Sequence, residues 1–233
     1  MTRRTGGMVE QEHWSVLIVC TGNVCRSPMA ERLAVARLTR LATEAGASGS
    51  AASVSSAGVR AWVGEPMDPH AATVLAERGA DPAGFRSRAV TSVMVEQADL
   101  VLCATRAHRA EVVGLAPRTV RRTFTLREFA RLTDAVGPER IDTAAGTLAA
   151  LHERGDFRAA GTALVAAGVT ARGTVPPVSA ADDDLVDPLG GGLDAFRACA
   201  DAIEAALDPP TRLLAVLLGV AAPRRTGART QQA

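Results

Sequence analysis

The chain has 233 residues, enough for one generous domain or a domain carrying an insertion. Hydrophobic residues make up 47% of it, but aromatics only 3%, and tyrosine is absent, so alanine, valine and leucine must build the core. A formal charge of +1 gives no basis for a nucleic-acid surface, and the apolar run 213–222 is too short to cross a bilayer. Cys20, Cys25, Cys103 and Cys199 lack the spacing of a disulfide framework, and no signal peptide is legible before them. Reduced thiols in a cytoplasmic protein are the expectation. His13, His70, His108 and His152 show no ligand spacing and read as surface or helix positions, so neither metal nor cofactor is expected.

In chain order, residues 1–13 read as a flexible leader. Four apolar residues, Val16 to Val19, run straight into Cys20, as in a parallel strand covered on both faces. Gly22 and Asn23 tolerate the positive φ of a tight loop, while Ser27 and Pro28 suit the N-cap and first position of a helix running to about residue 41. A small, Gly/Ser-rich connection leads to a second strand at 54–58. Turn residues surround Trp62, and a helix at 70–78 stops at Gly79. Residues 91–97 read as a short helix, 99–104 as a third strand, 106–113 as a helix, and 120–126 as a mixed strand entering a helix at 127–132. This alternation predicts a doubly wound, three-layer α/β domain over 14–210 with a parallel sheet. The pattern loosens at about 133–184, which reads as an insertion with at least one helix: a lid, a contact surface or a neutral expansion. A closing helix at 193–207 is expected to end at Asp208-Pro209-Pro210. An extra helix within 211–222 and a disordered basic tail at 223–233 follow.

The stretch from Cys20 to Pro28 carries the chemistry. A loop curling into a helix start turns its N–H groups inward at the positive end of the helix dipole, which suits a tetrahedral oxyanion. The same field favours thiolate over thiol at Cys20. Arg26 adds a planar fork for two phosphate oxygens. A nucleophile at the base of an anion cradle implies covalent phosphoryl transfer. In such folds ligands sit at the carboxyl ends of strands, where Cys20 lies.

Cys20 and Arg26 with five residues between them (Thr21, Gly22, Asn23, Val24, Cys25), closed by Ser27-Pro28, resemble the phosphate loop of the low-molecular-weight protein tyrosine phosphatases. The resemblance implies a four-stranded parallel sheet and hydrolysis of phosphotyrosine through a phosphocysteine on Cys20. Asp187-Pro188, Leu189 and the glycines at 190–192 resemble the family's mobile acid loop. A phenolate, with a reference pKa near ~10, leaves slowly unless an acid protonates it. Asp187 takes that role, with Asp184 and Asp194 as the fallback acids. By the same resemblance Asn23 holds the loop's conformation, Ser27 donates to the Cys20 sulfur, and Ser56 joins this support. Trp62 is one wall of the cleft, and Leu189 an aliphatic wall where the family generally shows an aromatic. Phe85 stands where relatives have a histidine. Cys25 beside Cys20 suggests a reversible disulfide under peroxide.

Three alternatives stay open. One is phosphoarginine hydrolysis, performed by relatives with threonine in mid-loop, where Val24 lacks the hydroxyl. Another is arsenate reduction, which needs Cys103 or Cys199 as a relay. The third is a non-enzymatic phosphopeptide-binding module. The expected partner is a phosphotyrosyl protein such as a bacterial tyrosine kinase, acted on by a monomer or weak homodimer.

Overall fold

The computed structural model describes residues 13–46, 52–136 and 156–220. Four parallel strands, β1 (Trp14–Cys20), β2 (Ala52–Gly58), β3 (Leu100–Cys103) and β4 (Thr123–Thr125), form one sheet in the order β2-β1-β3-β4. The register sets Cys20 opposite Gly58 and Val19 opposite Cys103, so β1 delivers Cys20 to the carboxyl edge between two neighbours. Alternate residues face opposite layers, as a pleated strand requires. Val16, Ile18, Leu100 and Leu102 join the larger core with α1 (Arg26–Glu44), α2 (Pro69–Glu77), α5 (Leu126–Asp134) and α8 (Leu193–Leu217). Leu17, Val19, Val101 and Cys103 face a smaller core with α3 (Ser92–Gln97) and α4 (Arg106–Leu115).

Three elements depart from the sequence expectation. α1 begins at Arg26, with Cys25 at its cap and no side-chain capping bond. Ser27 cannot serve as the cap because its hydroxyl is committed to Cys20 and Asn23. The strand expected at 120–126 shrinks to Thr123–Thr125. A 3-10 turn, Pro117–Arg122, takes its first half, and a Thr125–Glu128 capping box starts α5 early. At the C-terminal end there is no break and no separate helix: α8 runs unbroken through Pro209 and Pro210. Two prolines remove two N–H donors. On the continuing face Pro210, Leu213, Leu214 and Leu217 are all buried, and the Thr211 hydroxyl bonds the Leu207 carbonyl at 2.6 Å. Packing outweighs the lost bonds.

Within 133–184, residues 137–155 lie outside the described residues, as do 1–12 of the leader and the 223–233 tail. The described part holds α6 (Phe157–Arg172) and the short α7 (Ala180–Asp183). α6 is seated in the main core through Phe157, Ala160, Leu164 and Ala171. It approaches so closely that a methyl group on Gly161 would meet the Trp14 ring at 2.4 Å.

Candidate active site

From Cys20 the chain folds over the end of β2. The carbonyls of Cys20, Thr21, Gly22 and Val24 accept from Val59, Arg60, Trp62 and Asp68 N–H at 2.9–3.1 Å. A trans peptide sets each N–H opposite the preceding carbonyl. The N–H groups of Thr21, Gly22, Asn23 and Cys25 therefore point away from that segment, into the turn. Asn23 sits at φ 56, the left-handed region. Its side chain holds it there. Asn23 Nδ2 donates to Ser27 Oγ at 2.9 Å and Ser56 Oγ at 2.8 Å, and Oδ1 accepts from Arg88 N–H at 2.9 Å. Ser27 Oγ in turn lies 2.9 Å from Cys20 Sγ. The contact with β2 tolerates no side chain at position 58, where a Cβ would meet the Thr21 oxygen at 2.4 Å.

The structure brings Asp187 to this loop across 161 positions of sequence: Arg26 Nη2 donates to Asp187 Oδ2 at 2.6 Å. Nη2 also donates to Thr21 Oγ1 at 3.2 Å, and Nη1 to the Leu185 carbonyl at 3.4 Å. Arg26 Nε is buried and, among the described residues, has no partner. A buried guanidinium donor facing no protein acceptor is what an anion site leaves open. The other carboxylates are engaged elsewhere. Asp184 accepts from Arg106 N–H, and the exposed Asp194 pairs with Arg197.

Trp62 stands beside the loop, its indole 3.9 Å from where a Cβ on Gly22 would lie, and is half exposed, as is Leu189 next to Asp187. Phe85 is buried, with the Arg32 guanidinium 6.0 Å from its ring centre. Glu31, a turn beyond Ser27 on α1, accepts the Ser56 hydroxyl at 2.6 Å. All four cysteines are free and buried. Burial, reinforced by Asp68, pushes the Cys25 thiol up to about 12; burial raises Cys199 to about 12 and Cys103 further still.

Two residues of this arrangement escaped the sequence reading. Glu31 lies four residues from Ser27, the spacing that stacks side chains on one helical face, and that was its only signal. His108, expected on a surface or an unremarkable helix position, is instead buried, with Nε2 2.8 Å from Thr21 Oγ1. Its place in the first turn of α4, directly after β3, puts it at the same carboxyl edge as Cys20. Among the described residues no His, Cys, Asp and Glu cluster could hold a metal.

A family model described as low molecular weight phosphotyrosine protein phosphatase matches residues 15–140. The low molecular weight protein-tyrosine-phosphatase Etp of Escherichia coli K12 is 34% identical over 133 residues, 57% of this chain and 82% of Etp. The protein-arginine-phosphatase of Geobacillus stearothermophilus is 28% identical over 195 residues, 84% of this chain and 92% of that protein. Among solved structures, the low molecular weight protein tyrosine phosphatase from T. tengcongensis superposes with a TM-score of 0.57 at 25% identity, covering 84% of this chain and 96% of that one. A family match that begins within β1 and takes in the whole phosphate loop, on a backbone that superposes with a solved phosphatase, leaves one conclusion. This chain belongs to the low molecular weight phosphotyrosine protein phosphatase family and is a cysteine-dependent protein tyrosine phosphatase.

Proposed function

We propose that Cys20 is the nucleophile, Arg26 the phosphate clamp and Asp187 the general acid and base. The remaining loop residues, Thr21, Gly22, Asn23, Val24, Cys25 and Ser27, cradle the phosphoryl oxygens. The observation that carries this reading is the 2.6 Å contact that seats Asp187 on the arginine of the loop. The substrate's phosphate dianion displaces Asp187 from Arg26 and takes up the fork and the inward N–H groups. The Cys20 thiolate attacks phosphorus. Asp187, freed from Arg26, takes up a proton from solvent; as the S–P bond forms, the P–O bond to the phenol breaks and Asp187 gives that proton to the leaving oxygen. In the second step the Asp187 carboxylate takes a proton from water, which attacks phosphorus and releases phosphate and the Cys20 thiolate. Ser27 donates to the sulfur as it departs.

Trp62 and Leu189 are read as the two walls of the cleft, admitting the aryl ring of a phosphotyrosyl protein. A bacterial tyrosine kinase is the partner we favour, met in the cytoplasm by a monomer or weak homodimer. Among the described residues no helix is long and apolar enough to cross a membrane. Residues 133–184 are read as an insertion ahead of the acid loop. Arsenate reduction would need a second thiol to attack the Cys20 adduct, and burial holds Cys103 and Cys199 protonated, which weighs against either as a relay. Phosphoarginine hydrolysis is the second reading, favoured by an arginine phosphatase relative that matches across the acid-loop region as well. Val24 weighs for tyrosine.

Steady-state rates on phosphotyrosine, phosphoserine and phosphoarginine peptides decide between these. Phosphotyrosine should lead, and Cys20→Ser should lose at least about a thousandfold in kcat. Retained turnover in Cys20→Ser would end the covalent reading, and a phosphoarginine preference would move the assignment to the second.

A further inference from the structure

The mechanism above uses Thr21 only as a loop residue and His108 not at all, yet the two join the acid–arginine pair in one chain of contacts. Asp187 Oδ2 accepts from Arg26 Nη2 at 2.6 Å, and the same nitrogen donates to Thr21 Oγ1 at 3.2 Å. Thr21 Oγ1 lies 2.8 Å from His108 Nε2, and His108 Nδ1 lies 2.7 Å from Thr105 Oγ1, the N-cap of α4. Both ring nitrogens are thus occupied, and the ring is 4% exposed.

We propose that His108 is a positioning residue for the phosphatase reaction, acting on the Arg26 guanidinium through the Thr21 hydroxyl. This rests on the assignment of Arg26 to the phosphate. Burial, with Arg26 nearby, pushes His108 down to about 4, so the ring is neutral at physiological pH, one nitrogen donating and the other accepting. In either tautomer the Thr21 oxygen is fixed on the ring and keeps a lone pair for Arg26 Nη2. That matters at one stage of the cycle. When the phosphate dianion displaces Asp187 from the arginine, Nη2 exchanges its nearest protein acceptor for a phosphoryl oxygen. Thr21, anchored through His108 to α4, remains, and holds the buried fork with Nε turned toward the phosphoryl group.

Two side-chain amides separate positioning from mere packing. Gln at 108 places a polar atom where Nε2 is and keeps the Thr21 contact; Asn reaches only the Nδ1 position and keeps Thr105 alone. His108→Asn and Thr21→Val should each lower kcat on an aryl phosphate by about tenfold while KM moves by less than about threefold. His108→Gln and Thr21→Ser should recover most of the rate. The double variant Thr21→Val/His108→Asn should be no slower than the worse single. Wild-type kcat in His108→Asn, or a double variant that loses the product of the two single effects, would overturn the proposal. If His108→Asn fails to fold, Thr21 is only partly buried and its two variants decide: equal kcat in Val and Ser overturns it. Arg26→Ala in the same assay keeps the two readings apart. Turnover in that variant removes Arg26 from the phosphate; an inactive Arg26→Ala beside fully active Thr21→Val and His108→Asn removes only the role of His108.

Discussion

The two loops that meet at the site are built on opposite terms. In the phosphate loop Asn23 and Ser27 are fully buried, four carbonyls are tied to one neighbouring segment, and a left-handed residue is held by three side-chain hydrogen bonds. The acid loop leaves Val186 83% exposed and the Asp187 side chain 45% exposed. Its footing is firm, since Leu185 N–H bonds the Ala104 carbonyl and Arg106 holds the buried Asp183. Beyond that footing, the bonds of residues 186–191 among the described residues are a Gly191–Pro188 turn bond, an Asp187–Leu189 contact and the bond to Arg26. The difference fits the roles proposed for the two loops. An anion cradle gains by being set before substrate arrives, whereas an acid that must change partners cannot be locked.

The largest effect should come from the exposed side. Asp187→Ala is expected to lower kcat on an aryl phosphate by about two to four orders of magnitude with the melting temperature unchanged. Inorganic phosphate should bind at least as tightly, because the carboxylate that competes for Arg26 is gone. Weaker phosphate binding in that variant would mean that Asp187 helps build the anion site rather than contests it.

On the rigid side, His108 gives a pH signature. Its folded-state value of about 4 lies below the ordinary 6.5, so the unfolded chain takes up the proton first. Stability should fall as pH drops from 6.5 toward 4 and be unaffected above that window. This part of the slope, on the order of 3 kcal/mol in all, should vanish in His108→Gln. Urea denaturation of both proteins at pH 7 and 4.5 measures it.

Gly58→Ala tests how tightly the cradle is set. Its methyl would press on the Thr21 carbonyl oxygen, and a loss of about 1–3 kcal/mol in stability should accompany a fall in activity. Full activity would show that the loop has slack. The smallest effect belongs to Leu189→Ala. Exposure predicts less than about 0.5 kcal/mol in stability, with any change confined to KM for peptide substrates.

How much of this the sequence made legible depended on distance along the chain. The cradle is nearly all local, with a buried strand, an asparagine that accepts positive φ and an arginine separated from the cysteine by five residues, and it could be read without coordinates; Gly22, expected to share the positive φ, does not take it. Asp187 was legible only because proline and glycines mark its loop. The residues that hold these groups in place carry no such marks. A lone histidine in a helix, a serine in β2 and a glutamate on α1 become partners only once the sheet order sets β3 and α4 on one side of β1 and β2 on the other.

Local sequence therefore settled the course of the loop, because φ preferences and strand patterning act over a handful of residues. Tertiary structure decided what supports it and where helices end. Ser27 gave up capping for a place beside the sulfur, and α8 ran through two prolines because its buried face continued past them. Such outcomes turn on burial and on hydrogen bonds between distant segments, whose free energies exceed the local preferences they override.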